Sequence, residues 1–182
     1  MAYVTREDCG LGHSVRGLAL VRAGQRAGVE VRAFGPRLEP LDALLPFSPE
    51  LILGDLVWWR LTEYLDALDV PGWVLARFVP ASWFALPRLD RWERRISIEP
   101  AADGIAGITD RIAPVIDVSP LPMPADGSEL RAGYNTYWRA AWFGYRDRVR
   151  WYTDGSPERQ ARIDAGGTLT TNGADVLMGM IR

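Results

Sequence analysis

The 182-residue chain contains no lysine; all 21 of its cationic side chains are arginine. That absence excludes a Walker-type phosphate lysine, the strand lysine of protein kinases and any Schiff-base nucleophile. Cysteine and histidine are almost missing too, with one of each at Cys9 and His13. A Cys/His zinc centre cannot be assembled within one chain from that pair, and a disulfide framework needs a second thiol. A Ser-His-Asp hydrolase could use only His13, and no G-x-S-x-G elbow is present to offer a serine. No apolar run approaches the roughly 20 residues a membrane span requires, and no basic-then-apolar leader opens the chain. A cytoplasmic protein without a membrane span is therefore expected.

Positive charge is not in excess either. A formal net charge of −2 argues against broad attraction to nucleic acid, whose binding rests largely on phosphate neutralisation. The local clusters Arg91, Arg94 and Arg95, and Arg146, Arg148 and Arg150, read as solvated faces. Tryptophan, by contrast, is plentiful. Eight are enough to fill a core and still leave a platform on which a sugar ring or a base could stack.

The stretch Gly10-Leu11-Gly12-His13-Ser14-Val15-Arg16-Gly17 carries most of the information. It lies between a strand signal at 2–5 and a helix signal at 14–27 that closes on Gly28, a good left-handed cap. A glycine-rich turn in that place lets a ligand approach the backbone, and the helix behind it aims unpaired N–H groups at whatever binds. His13 adds the one side chain that titrates near neutral pH. The spacing G-x-G-x-x-x-x-G departs from the dinucleotide fingerprint, and the second strand signal, 29–34, ends on Phe34-Gly35 without a ribose-binding acid. A nicotinamide enzyme is thereby disfavoured.

Further strands are expected at 51–53, 73–79, 96–98 and 115–118, with a helix at 60–68. Helices are also expected at 137–143, from Ser156-Pro157 to Gly166, and from Asn172 to 180, with a strand at 149–152. This alternation predicts an α/β fold, a doubly wound parallel sheet with strand 2–5 in a central position. Ligands of such sheets sit at the carboxyl ends of the strands, where the Gly10 turn and Asp55 both fall.

The opening residues, from Gly10 to His13 with Arg16, then Leu18-Ala19-Leu20 and Gly28-Val29-Glu30-Val31, resemble those of GT-B fold glycosyltransferases. The similarity is greatest to the branch containing the bacterial cell-wall N-acetylglucosaminyl transferase, and Gly54-Asp55 after an apolar strand fits its N-terminal domain. A second likeness runs through Ala132-Gly133-Tyr134-Asn135-Thr136, Gly144, Glu158-Arg159-Gln160 and Gly166, similar to the donor-binding half of the family. This chain resembles the family in a shortened form. Residues 1–118 correspond to a Rossmann-like N-terminal domain, 119–127 to a proline-rich linker, and 128–182 to a reduced donor-binding lobe.

The resemblance implies metal-independent sugar transfer, with no cofactor, from a nucleotide-diphosphate donor to a hydroxyl acceptor that the sequence does not identify. His13 would be the base. Asp55 would orient its imidazole or cap the following helix. Gly10, Gly12 and Arg16 would meet the donor, as would Gly133, Asn135, Thr136, Glu158 and Gln160. Asn135 and Thr136 could instead cap the helix they precede, and Arg16 could be a solvated arginine. The reduced lobe, too small for a core of its own, is expected to dock on the N-terminal sheet or to complete its site within a homodimer. Two rivals stand beside this reading: a non-catalytic nucleotide- or sugar-binding module derived from a GT-B enzyme, and an interaction protein that buries its tryptophan surface in a partner.

Overall fold

The computed structural model describes residues 1–6, 10–77, 81–100 and 107–181. Six short strands form one sheet: β1 (Ala2–Val4), β2 (Arg32–Phe34), β3 (Ile52–Asp55), β4 (Gly72–Ala76), β5 (Arg94–Ser97) and β6 (Asp110–Arg111). Their order is β2-β1-β3-β4-β5-β6, and every pairing is parallel. β1 is thus an interior strand. The direction of winding reverses between β1 and β3, which opens a crevice beyond their carboxyl ends.

Side chains of these strands alternate between two apolar layers. Tyr3, Leu53, Leu75 and Ile96 belong to one, and Val4, Ile52 and Val74 to the other. The first layer is covered by α1 (Leu11–Ala27), α4 (Tyr134–Trp142) and α6 (Gly173–Ile181), through Leu20, Trp138 and Leu177 among others. The second is covered by α2 (Leu44–Phe47) and α3 (Trp58–Leu68), with Leu61, Leu65 and Trp92 in the contact. The sheet is buried on both faces, the condition under which all-parallel sheets are stable. A separate two-stranded parallel sheet joins β7 (Glu129–Arg131) to β8 (Arg150–Tyr152), and α5 (Pro157–Ala165) follows it.

Several expectations are refined by this arrangement. The strand expected at 73–79 ends at Ala76, and Phe78 and Val79, like Cys9, lie outside the described residues. Residues 115–118 form no ladder, although Val115 and Ile116 are fully buried. Side chains take the place of a neighbouring strand there. The Val115 N–H donates to the Tyr134 hydroxyl at 2.9 Å, while Asn172 accepts from the Ile116 N–H at 3.2 Å and donates to its carbonyl at 3.0 Å. β6 and β7, two and three residues long, gave no periodic signal. Ser156 caps α5 as expected by accepting from the Arg159 N–H, and Asn172 accepts from the Ala174 N–H at 3.0 Å at the start of α6.

Glycine lets α1 lie close on the sheet. A Cβ on Gly17 would stand 2.8 Å from the Tyr3 ring, closer than real contacts allow, whereas one on Gly179 in α6 meets nothing within 4 Å. Gly17→Ala is expected to destabilise the fold by about 1–3 kcal/mol despite alanine's better helix propensity, because Tyr3 is held at its hydroxyl and cannot swing away. Gly179→Ala is expected to be neutral or to stabilise by about 0.5–1 kcal/mol. Urea denaturation of the two variants checks the pair, and equal midpoints would refute the account.

Candidate functional site

β1 and β3 deliver the first part of the site. Asp55, the last residue of β3, is fully buried, and one of its oxygens collects nearly everything around it. Arg16 approaches Oδ2 through Nε at 2.8 Å and Nη2 at 2.7 Å, and Nδ1 of His13 lies 3.0 Å from the same atom. The Tyr3 hydroxyl reaches this oxygen and also the His13 carbonyl, the latter at 2.7 Å. The three partners come from β1 and the first turns of α1, whereas Asp55 ends β3, so the site joins the two sides of the reversal that the sheet order creates. Spacing on α1 explains how two of them meet: His13 and Arg16, three apart, share a helix face.

Burial opposes charge on Asp55, but the Arg16 guanidinium, His13 and the Tyr3 hydroxyl override it and hold the carboxyl well below the usual range. Burial likewise opposes charge on Arg16, and Asp55 overrides it, raising an already high value further. Arg16 is 1% exposed and stacks over the Tyr134 ring at 5.0 Å. It is therefore neither a solvated arginine nor free to leave for a phosphate. Asp55 does not cap α3 either, since the N-cap of that helix is Val57 and no side chain caps it. The carboxylate orients the imidazole instead. Nδ1 of His13 also lies 3.0 Å from Arg16 Nη2, so it can donate to the carboxylate in one tautomer or accept from the guanidinium in the other.

The second part comes from the other end of the chain. Gly133 precedes α4 as Gly10 precedes α1, and the two helix N-termini line one cleft of about 570 Å³. Asn135 donates from Nδ2 to the Gly12 carbonyl at 2.9 Å, across a sequence separation of 123 residues. Neither helix has a side-chain N-cap or an acidic residue in its first turn. Asn135 and Thr136 thus do not cap α4; the His13 N–H donates to the Gly10 carbonyl at 3.0 Å, and no side chain among the described residues takes the other first-turn N–H groups of the two helices.

Glycine is not needed here for backbone shape. Gly10 (φ −74°) and Gly133 (φ −67°) are extended, a conformation any residue adopts, and Gly12 is helical. What these residues provide is room. A Cβ on Gly10 would meet nothing within 4 Å and would project into open space, while one on Gly12 would press the Asn135 amide at 3.3 Å.

Arginine supplies the charge of the cleft. His13, Arg16, Arg77, Arg131 and Arg159 all line it, together with Asn135 and Thr136, and among the described residues no carboxylate lines it. The acids stand behind. Asp154 is shared by Arg131 at 2.7 Å and Arg159 at 3.2 Å. Glu158 Oε1 accepts from Arg77 Nη1 at 2.9 Å and from Arg162 Nη2 at 2.6 Å. Arg162 is buried against Glu99, whose Oε1 also accepts from the Trp138 indole at 3.1 Å, and donates to the Ala132 carbonyl at 2.7 Å. Glu158 therefore steadies Arg77 at the wall. Gln160 is exposed and donates to Asp164 at 2.7 Å, outside the cleft.

The structure thus brings together Gly10, Gly12, His13, Arg16, Gly133, Asn135 and Thr136, keeps Asp55 beneath them and Glu158 one contact away, and leaves Gln160 apart. Sequence reasoning missed Tyr3, Arg77, Arg131, Arg159 and the Glu99–Arg162 pair. Arg77 had a usable signal, its place directly after β4 on the same edge as Asp55. Among the described residues no group of His, Cys, Asp and Glu side chains could hold a metal ion, and no helix is long and apolar enough to cross a membrane.

Two further cavities adjoin the cleft. One of about 300 Å³ shares Gly10, His13 and Arg77 with it and is walled by Leu56, Val57, Trp59 and Trp83. Another, of about 420 Å³, shares Val15, Asn135 and Thr136 and is walled by Leu121, Met123 and Phe143. The chain matches no protein-family model, no curated protein and no solved structure.

Proposed function

We propose that this protein transfers a glycosyl group from a nucleotide-diphosphate sugar to a hydroxyl acceptor. One observation carries the reading: the two glycine turns, far apart in sequence, line a single arginine-rich cleft and are tied by the Asn135–Gly12 hydrogen bond. Two open helix N-termini and a set of guanidinium groups are what a diphosphate needs for binding, and more so for leaving. His13 lines that cleft, and in the tautomer that donates Nδ1–H to Asp55 its Nε2 carries the lone pair. In the proposed step Nε2 takes the acceptor hydroxyl proton as the acceptor oxygen bonds to the anomeric carbon. The anomeric carbon–oxygen bond to the diphosphate breaks, and its electron pair leaves with the nucleoside diphosphate. Arginine and backbone N–H groups neutralise the departing charge. The GT-B assignment belongs to this proposal and rests on the resemblance of the glycine turns.

A second reading is a binding module without chemistry. The buried Arg16–Asp55 pair favours it, because that pair would hold the His13 turn in shape whether or not a reaction follows.

Calorimetric titration with inorganic pyrophosphate and with nucleoside diphosphates tests the shared element of both readings. Binding is expected, and Arg77→Met should weaken it about tenfold or more through loss of a charge-assisted contact. No binding of any of these anions to the native protein would overturn both. Donor turnover, measured as release of nucleoside diphosphate, then separates enzyme from module.

A further inference from the structure

We propose that the cavity walled by Trp59 and Trp83 binds a flat aromatic ring bearing a hydroxyl, and that this ring is the acceptor. The word acceptor rests on the transferase reading above, whereas the ring site stands on its own geometry. Trp59 and Trp83 meet at 87° with centroids 5.4 Å apart, forming a corner. Behind it, Trp58 is 1% exposed and contacts Trp59 edge-on at 5.1 Å and Trp83 at 6.3 Å, while Phe84 stacks on Trp58 at 6.2 Å. The corner is rigid before any ligand arrives, which lowers the ordering cost of binding.

The backbone is bent to make the remaining wall. Leu56 and Val57 adopt φ of 56° and 31°, and a β-branched residue in that left-handed region is strained. Two consecutive residues of this kind turn the chain sharply out of β3, so that α3 begins with its tryptophans at the cavity. Gly10 keeps the opposite side free of a side chain.

The polar groups decide between an aromatic ring and a sugar. A pyranose brings several hydroxyls, each of which needs a partner once buried. Among the described residues the side chains of this cavity offer the His13 imidazole, the Arg77 guanidinium and the indole N–H groups of Trp59 and Trp83; leucine and valine complete the wall. That set matches one or two hydroxyls on an otherwise apolar plane. Because His13 and Arg77 line this cavity and the cationic cleft alike, a hydroxyl held at His13 lies at the boundary with the donor's diphosphate. The tryptophan contact gives affinity, and the imidazole selects the hydroxylated ring.

The test uses 7-hydroxycoumarin as probe on the full chain, with binding read by calorimetry and by saturation-transfer NMR. The native protein should bind it, Trp83→Ala and Trp59→Ala should each weaken binding about tenfold, and Trp83→Phe should restore most of it. Pyrophosphate affinity should be unchanged in all three variants, which also certifies that they are folded. Coumarin lacking the hydroxyl should bind more weakly than the probe. No binding of 7-hydroxycoumarin, equal binding by the alanine variants, or preference for a methyl pyranoside would overturn the proposal. If 7-hydroxycoumarin binds with the expected tryptophan dependence while pyrophosphate does not bind, the ring site holds and the transferase reading fails.

Discussion

Removing the Asp55 carboxylate should be the most damaging single change in the molecule. Asp55→Ala is expected to cost about 3–5 kcal/mol, because it leaves the Arg16 guanidinium buried with its charge uncompensated. In a chain of this size that corresponds to a fall in melting temperature of about 10 °C or more. Arg16→Met combined with Asp55→Leu should cost less than the two single changes added together, since neither charge is then left alone. The native pair also fixes a pH dependence. The Asp55 carboxyl is depressed in the folded state, so its contribution is complete above its unfolded value of about 3.9 and is lost as pH falls below that toward the native value. Melting curves should show this acid limb in the native protein and a weaker one in Asp55→Ala. A variant that melts with the native protein at neutral pH would show that the pair carries no stability.

His13→Ala should lower turnover by about 10²-fold or more while the affinity for nucleoside diphosphate stays close to native. The split is the informative part. The N–H groups of the two helix termini and the arginines remain, so the donor still binds, and only the proton acceptor is gone. Unchanged turnover would remove His13 from the chemistry without removing the cleft from donor binding.

Much of the scaffold was legible because it is written locally. Short apolar runs at β1, β3 and β4, the Gly28 cap and the Ser156-Pro157 start each declare themselves within a few residues. The two glycine turns were legible for the same reason, and so was their place at the strand ends. What could not be read is pairing at long range. Nothing near Arg16 announces that Asp55, 39 residues away, will neutralise it, and nothing near Glu99 announces Arg162, 63 residues away. Arginine and aspartate are surface residues by default, so Arg16 was read as solvated or as a phosphate contact, and Asp55 as a cap or as the partner of His13, never as each other's counter-ion. Residues 115–118 misled in another way: their apolar character marked burial correctly, but Tyr134 and Asn172 had already taken the backbone groups that a ladder would use.

The shared apolar layer beneath α1 and α4 has a consequence for how this cleft works. Tyr134, Tyr137, Trp138 and Leu177 lie in the same cluster as Tyr3, Leu20 and Leu53, so the walls of the cleft are sides of one block. Among the described residues one continuous apolar cluster joins them. A two-lobed enzyme can close around its substrate and spend part of the binding energy on that motion; here the opposing helix termini are already at their working distance, tied by Asn135. Under the proposed transfer, donor and acceptor would come and go through the open mouth. Selectivity would then arise from fit to the shape that these walls set.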